Sequence, residues 1–439
     1  MIKLQAPSSK SVSHRILTAA SLACGTSVIH HVLASADLER TRDILCRVGA
    51  SMRESSDSCW EVCGMKNGPE GGSDAPVECF VSESGTTCRL LTAVLAAGHG
   101  AFRICGVPRM HERPIGALTD ALCVLGAEVI FENREGYPPI VMTSHGLRGG
   151  DVSLSIDESS QYLSGLLLAA PFCEAPLRVT LSGSKVVSWP YVGLTLQVLE
   201  DFGIRFEVEQ LGGEQWKSVP WKSLTSVKPG ELRITVQPGQ YRPGEYAVEG
   251  DWSGASYLLA AGAVGKESVL VTGLRADSIQ GDRAMLDIMK AMGADVAIRD
   301  DGILVSPSSL HGITVDMRDC PDLVPTVAML AAFADGPTRI TNVAHLRIKE
   351  CDRISACASE LARIGVKTEE TGDSLTIYGV GPEKPSVPAG TVFRTYNDHR
   401  LAMCVSLLGL VPGNTVCVDD PAVVRKSFPE FWNVWNALS

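Results

Sequence analysis

The stretch Leu45-Cys46-Arg47-Val48-Gly49-Ala50 returns as Leu122-Cys123-Val124-Leu125-Gly126-Ala127 and again as Leu199-Glu200-Asp201-Phe202-Gly203-Ile204. Two more copies follow, Ile288-Met289-Lys290-Ala291-Met292-Gly293-Ala294 and Leu361-Ala362-Arg363-Ile364-Gly365-Val366. Each reads as a helix closed by a glycine in the left-handed region and followed by a strand. The glycines at 49, 126, 203, 293 and 365 lie 72 to 90 residues apart. That spacing is too long for a solenoid and suits a unit of two helices and several strands. The chain is therefore read as one two-layer α/β unit used several times.

A second mark is a polar cluster that opens an Ala/Leu-rich helix. It occurs six times: Ser9-Lys10-Ser11 running to Gly25, Ser84-Gly85-Thr86-Thr87 to Gly98, Ser159-Ser160-Gln161 to Pro171, Asp251-Trp252-Ser253-Gly254 to Gly262, Pro321-Asp322 to Gly336, and Asn397-Asp398-His399-Arg400 to Gly413. Ser, Asp or Asn caps are expected at these starts, with Ser84-Gly85 filling that place in the second. The sixth unit is expected to lack the later glycine-ended helix, the chain ending at Ser439. The widest spacing holds the turn-rich Gly212-Gly213, Pro229-Gly230 and Pro243-Gly244. A domain boundary is placed just after it, with three units on each side.

Composition narrows the function classes. With 439 residues, 45% hydrophobic and 20% charged, the chain is long and apolar enough for two or three domains with cores of their own, which excludes disorder and coiled coil. Its longest apolar runs, 166–172 and 327–334, fall short of the ~18 to 20 residues a membrane span needs. The N-terminus turns polar at once and lacks a signal-like apolar run, so a cytoplasmic location is expected. The fourteen cysteines sit mostly in apolar patterns and read as reduced, core-filling thiols. Cys59 and Cys63 have no second pair to complete a zinc site, and no metal is expected. A net charge of -11 argues against non-specific nucleic-acid binding but leaves room for an anionic small molecule where basic residues gather.

Helix N-termini attract phosphate and carboxylate, and these starts come with basic partners: Lys10 and Arg15, Arg89, Lys185 and Arg400. Singly, each stretch has an ordinary reading. Ser9-Lys10-Ser11 and Ser159-Ser160-Gln161 read as caps, and Pro321-Asp322 as an Asp capping a buried helix. Arg347-Ile348-Lys349-Glu350-Cys351-Asp352-Arg353 reads as salt-bridged surface charge. Arg109-Met110-His111-Glu112-Arg113-Pro114-Ile115-Gly116 reads as a basic loop whose proline starts a helix at its first position. Together they fall at or beside unit starts, which a two-domain fold can bring to one cleft.

In these motifs the chain resembles the 5-enolpyruvylshikimate-3-phosphate synthase family of enolpyruvyl transferases, along its whole length. The likeness is carried by Ser9-Lys10-Ser11 with Arg15, Ser84-Gly85-Thr86 with Arg89, Arg109 to Ile115, Ser159-Ser160-Gln161 and Ser188-Trp189-Pro190-Tyr191. It continues in Val248-Glu249-Gly250-Asp251, Gln280-Gly281-Asp282, Pro321-Asp322, Lys349 to Arg353, Thr395 to Arg400 and Lys426-Ser427-Phe428-Pro429. The resemblance implies a two-domain inside-out α/β barrel, each domain three βαβαββ units, six in all. It places residues 9–249 in an N-terminal domain on the shikimate 3-phosphate side. Residues 1–8 and 250–439 then form a C-terminal domain on the phosphoenolpyruvate and catalytic side.

The implied reaction moves the enolpyruvyl group of phosphoenolpyruvate to the 5-hydroxyl of shikimate 3-phosphate and releases phosphate, by addition and then elimination. It needs cations for two phosphates and two carboxylates and at least two proton-transfer groups, with no cofactor. By resemblance, phosphoenolpyruvate falls to Lys10, Gly85, Arg113, Gln161, Arg353, Arg400 and Lys426. Shikimate 3-phosphate falls to Lys10, Ser11, Arg15, Ser159, Ser160, Gln161, Ser188, Tyr191, Asp322 and Lys349, with Arg15 meeting the 3-phosphate. Asp322 is assigned as base at the 5-hydroxyl, Glu350 to proton traffic at C3 of the donor, and Lys10 and Lys426 to the leaving phosphate. A monomer acting on small molecules alone is expected, with no nucleic-acid or membrane partner.

The sequence departs from the family pattern at Glu83 and His345, where asparagine is frequent, while Gly85 keeps room for the inhibitor glyphosate. The alternatives are a UDP-N-acetylglucosamine enolpyruvyl transferase and a non-catalytic anion sensor of the same fold. The first would need a cysteine five residues before Arg113, where Pro108 stands and Cys105 is misplaced. The second would have no use for Asp322 and Glu350.

Overall fold

The computed structural model describes residues 1–56, 58–224 and 227–438. The chain divides into two compact units, Lys10–Val248 and Met1–Ser9 with Glu249–Ser439. Ser9 and Glu249 thus lie with the second unit, because the Ser9 N–H donates to the Glu249 carbonyl (2.8 Å) beside a Ser8–Gly250 bridge.

The unit Lys10–Val248 carries helices α1 (Lys10–Ser21), α2 (Ala36–Arg47), α3 (Gly85–Ala96), α4 (Gly116–Val124), α5 (Gln161–Ala169) and α6 (Trp189–Asp201). They serve three sheets that share one four-strand order, the third extended by a fifth strand, Gln215–Ser218. In the middle sheet Val77–Phe80 pairs parallel with His99–Cys105, which pairs antiparallel with Ile140–His145, itself antiparallel to Glu128–Phe131. The parallel pair is joined through α3, as backbone reach dictates, Glu128–Phe131 and Ile140–His145 are joined by a loop, and α4 lies between His99–Cys105 and that hairpin. In the first sheet the parallel edge is supplied by Glu245–Ala247 against Thr26–His30, so the end of the unit completes its beginning. α3 and α5 are buried almost throughout, and they pack on each other.

The other unit repeats the plan with α7 (Trp252–Val264), α8 (Met285–Ala291), α9 (Val324–Phe333), α10 (Arg353–Ala362), α11 (His399–Val405) and α12 (Phe431–Trp435). Here the first strand of the chain, Ile2–Gln5, pairs parallel with Val269–Thr272 and completes the first sheet. α7 and α9 are buried along their whole length. The sixth repeat is abbreviated to two paired strands, Val392–Phe393 and Cys417–Val418, followed by a 3-10 turn at Pro421–Lys426 and short α12. Phe431 anchors that end through ring contacts with Tyr257, Phe428 and Trp435.

The five repeat glycines all have positive φ, from +73° at Gly365 to +124° at Gly49, so each closes its helix as the sequence suggests. The helix starts are less uniform. Ser84 Oγ accepts from Thr87 N (3.2 Å), Asp251 Oδ1 from Ser253 N and Gly254 N (2.8 and 3.0 Å), and Asp398 Oδ1 from Arg400 N (2.9 Å). Asp322 caps nothing: it lies in a 3-10 turn, Pro321–Leu323, ahead of α9. Nor does Pro114 start a helix. Its carbonyl accepts from Arg89 Nη2 (3.2 Å) and the Tyr162 hydroxyl (2.7 Å), while Ile115 N donates to Gly136 O (2.8 Å), so α4 begins only at Gly116.

Candidate active site

In the unit Met1–Ser9 with Glu249–Ser439, the charged motif divides: Arg347 keeps the expected partly exposed salt bridges, to Asp352 and Glu370, while Arg353 forms a buried centre. Arg353 is 1% exposed and opens α10, so its guanidinium enters the core. Nη1 donates to Asp322 Oδ1 (2.9 Å), Nη2 to Glu350 Oε2 (2.9 Å) and Nε to Asp398 Oδ2 (2.7 Å). Arg400, in the first turn of α11, donates through Nη2 to Asp322 Oδ2 (2.7 Å) and to Ser253 Oγ (3.1 Å). Lys426 Nζ lies 3.6 Å from Glu350 Oε1. Asp322 is thus gripped by two arginines, and Glu350 by one arginine and one lysine.

Burial alone would raise the Asp322 carboxyl, but Arg400, Arg353 and Lys349 outweigh it and hold the group well below the usual carboxylate range. Three carboxylates, Asp322, Glu350 and Asp398, already meet the four cations Arg353, Arg400, Lys426 and Lys349. An incoming anion must therefore compete with groups in place. Asp398, which sequence reading took only as a cap, also binds Arg353: one carboxylate has lone pairs enough for both.

In the unit Lys10–Val248, Lys10 Nζ pairs with Asp37 Oδ2 at 3.2 Å. Asp37 opens an ordinary helix, and nothing in its local sequence marks it. Behind it runs a buried chain: His14 Nδ1 with Thr41 Oγ1 (2.9 Å), Thr41 with Thr87 (2.8 Å), and Thr87 with the Ser84 cap (2.7 Å). Burial pushes the His14 imidazole down to about 3, so it is neutral at physiological pH. The start of α3 also holds Gly85, where a Cβ would fall 2.5 Å from Arg113 Nη2. Arg113 donates to the backbone carbonyl of Glu83 (3.3 Å), a bond that does not depend on the residue 83 side chain. His345 is 4% exposed in the 3-10 turn Ala344–Ile348.

Gln161 at the start of α5 accepts from Arg89 Nη1 (3.1 Å) and donates to Thr86 Oγ1 (2.9 Å), so Arg89 positions it from below. Ser159 and Ser160 precede it, buried, and Ser188 sits before α6 with a left-handed φ of 55°. Arg15 is 1% exposed and engages four of its five N–H groups within the protein. They go to Thr195 Oγ1 (2.8 Å), Ser11 O (2.9 Å), Ser164 Oγ (3.2 Å) and Tyr191 O (2.9 Å). Burial draws it down to about 10, and it stays charged.

The thiol nearest the Arg113 motif in the sequence is inert: Cys105 is 6% exposed, donates to Glu78 Oε1 (2.8 Å), and is pushed up to about 12 by burial and by Glu78. Among the described residues no cluster of His, Cys, Asp and Glu is arranged to hold a metal ion. None of the described helices is long and apolar enough to cross a membrane.

Residues 2–435 match the family model EPSP synthase (3-phosphoshikimate 1-carboxyvinyltransferase). A 3-phosphoshikimate 1-carboxyvinyltransferase of Shewanella amazonensis is 39% identical over 437 residues, 99% of this chain and 95% of the relative. One of Aeromonas salmonicida is 38% identical over 434 residues, again 99% and 95%. Among solved structures, EPSP synthase from Acinetobacter baumannii superposes with a TM-score of 0.78 at 25% identity, covering 100% of this chain and 95% of that one. The enolpyruvyl transferase NikO from Streptomyces tendae shares the fold, with a TM-score of 0.73 at 16% identity and coverage of 100% and 94%.

Proposed function

We propose, from the premise that this chain belongs to the EPSP synthase family and has its 3-phosphoshikimate 1-carboxyvinyltransferase activity, that the residues assembled above carry the reaction. The substrates are shikimate 3-phosphate and phosphoenolpyruvate, and the pathway is the shikimate pathway. One observation supports the assignment most: Asp322 and Glu350 hold neighbouring nitrogens of the same buried guanidinium, Nη1 and Nη2 of Arg353. Two proton-transfer groups set side by side on one cation suit an addition at one carbon of the donor and a protonation at the next.

Arg353, Arg400 and Arg113 pair with the carboxylate and phosphate of phosphoenolpyruvate, because a guanidinium offers two parallel donors to a planar anion. Gln161 adds a hydrogen bond, and Gly85 leaves the space beside Arg113. Lys10 and Lys426 act as point charges on the leaving phosphate. Ser11, Ser159, Ser160, Ser188 and Tyr191 meet the hydroxyls and 3-phosphate of shikimate 3-phosphate, with Lys349 adding charge. Arg15 has one N–H left for that phosphate and serves chiefly to fix Ser11 and Tyr191 through their carbonyls.

Asp322 accepts the proton of the 5-hydroxyl. In the free protein its two arginines make it a weak base. Donor anions that draw Arg353 and Arg400 toward themselves, and repel Asp322, raise its proton affinity as the complex forms. Glu350 exchanges a proton with C3 of the donor in both steps, with Lys426 beside it. A monomer in the cytoplasm is part of this reading, and sedimentation at assay concentration checks the first half of it.

The reading is tested by phosphate release from phosphoenolpyruvate with and without shikimate 3-phosphate. Release is expected only with both, and release with UDP-N-acetylglucosamine as acceptor would sink it. A further expected result concerns Gly85→Ala. Its methyl would fall 2.5 Å from Arg113 Nη2, at the far end of a flexible side chain, so the guanidinium must shift and its pairing with the bound anion is disturbed. Glyphosate, the longer ligand, should lose more affinity than phosphoenolpyruvate; equal losses in inhibition and Michaelis constants would remove Gly85 from the pocket wall.

A further inference from the structure

Two motifs of the sequence, Val248-Glu249-Gly250-Asp251 and Gln280-Gly281-Asp282, have no part in the chemistry above. We propose that Gln280 is a positioning residue: its side-chain amide clasps together the two segments that join the units and so fixes the helix starts that present Lys10 and Ser253.

Gln280 is 5% exposed, and all four hydrogen-bonding positions of its amide are filled. Oε1 accepts from Trp252 N (3.2 Å) and Ser9 Oγ (3.3 Å), while Nε2 donates to Gly250 O (2.8 Å) and Glu249 Oε1 (2.8 Å). Among neutral side chains only a carboxamide offers two acceptor and two donor positions in one plane, and glutamine carries it one methylene further out than asparagine. Turned over, the amide would face two carbonyl-type oxygens with its own oxygen. Glu249 is held in turn by Ser278 Oγ (2.9 Å), whose oxygen also accepts from Gln280 N (3.2 Å).

What the amide spans is a very short antiparallel pairing. Ser9 N donates to Glu249 O (2.8 Å) and Asp251 N to Pro7 O (2.7 Å), with Ser8 opposite Gly250. Two backbone bonds alone make a marginal ladder. Gln280 adds bonds to both strands of it, and the packing leaves no slack: a Cβ on Gly250 would run into the Gly273 carbonyl, and one on Gly254 would fall 2.7 Å from Pro7.

Each strand runs straight into a helix start assigned above. Lys10 follows Ser9. Asp251 follows Gly250 and caps α7, and its carboxylate accepts from Ser253 Oγ (2.7 Å), which in turn accepts from Arg400 Nη2 (3.1 Å). The amide therefore touches Ser9, which precedes Lys10 in the chain, and Trp252, which follows the Asp251 cap that leads through Ser253 to Arg400. Shikimate 3-phosphate, held mainly through Ser159, Ser160, Ser188 and Tyr191, draws for the most part on elements that the clasp does not touch, its contacts with Lys10 and Ser11 at the start of α1 excepted. The inference rests on the reading that Lys10 and Arg400 serve phosphoenolpyruvate.

The test uses Gln280→Ala, Gln280→Glu and Arg400→Lys in the full chain. In Gln280→Ala the amides of Ser9, Asp251 and Trp252 should exchange with solvent about 10-fold faster while the strand Leu375–Val380 keeps its protection. Unchanged protection at those three amides overturns the clasp. Misplacement by an ångström can cost about 100-fold in rate, so kcat/KM for phosphoenolpyruvate should fall about 10- to 100-fold, with shikimate 3-phosphate binding weakened less, through Lys10 and Ser11 alone. Equal losses for the two substrates overturn the positioning role. Gln280→Glu, similar in shape, sets a second carboxyl against Glu249. That carboxyl takes up a proton readily and can then donate again, so the variant's deficit relative to the parent should shrink as pH falls from 8 to 6. A pH-independent deficit speaks against the hydrogen bond to Glu249. Arg400→Lys separates the two kinds of failure: a parent-like Michaelis constant for phosphoenolpyruvate there sinks the site reading, whatever the exchange data say of the clasp.

Discussion

Asp322→Asn should cut kcat by about 10²- to 10⁴-fold, the usual cost of losing a general base, without raising the Michaelis constant for phosphoenolpyruvate. The split follows from the ion pairs. Asp322 neutralises Arg353 through Oδ1 and Arg400 through Oδ2, so it competes with any anion for the same donors. An amide keeps the shape, gives up the charge and presents an N–H to one of the two arginines. Both guanidiniums then meet the donor's carboxylate and phosphate with less competition, while the 5-hydroxyl has no acceptor for its proton. Glu350→Gln should behave alike for the proton at C3, since it loosens Lys426 and Arg353 without removing them. Steady-state kinetics with both substrates varied decide the matter. Near-parent turnover in both variants would take these carboxylates out of the mechanism, and a pure rise in Michaelis constant would recast them as binding groups.

The repeat was legible because its mark is local. A helix that ends in a left-handed residue needs glycine there whatever surrounds it, and Gly49, Gly126, Gly203, Gly293 and Gly365 could be read without any tertiary knowledge. The types of residue in the site were legible for a similar reason, since cations beside helix starts suit phosphate in any fold. Partners were not. Asp322 reads as a cap from its neighbours, yet it is claimed by Arg353, 31 residues on, and Arg400, 78 residues on. Arg15 reads as a cation wholly available to phosphate, yet Thr195, Ser164 and the Ser11 and Tyr191 carbonyls take four of its five N–H groups. Pro114 looks like a helix start until Arg89 and Tyr162 take its carbonyl. In each case the local pattern is compatible with two roles, and a contact distant in sequence selects one.

The Arg353 centre should weigh as heavily on stability as Asp322 does on turnover. Arg353→Met keeps most of the volume and removes the charge that meets Asp322, Glu350 and Asp398. Breaking a buried pair by removing one partner costs about 3–5 kcal/mol, because the carboxylates stay behind in the core. Its pH dependence has a definite sign. The Asp322 carboxyl lies below its unfolded value of about 3.9, so its contribution is present above that pH and is lost as pH falls through the folded value. Removing Arg353 takes away one of the three cations that hold it low and leaves the opposing push of burial in place. The contribution shrinks, and the difference is fully present above about pH 4. In urea unfolding the gap between Arg353→Met and the parent should therefore hold steady from pH 8 to about pH 4 and narrow below it, as the parent loses the contribution that the variant lacks. A gap that stayed constant or widened below that pH would mean that packing, and not charge, is what Arg353 contributes to the folded state.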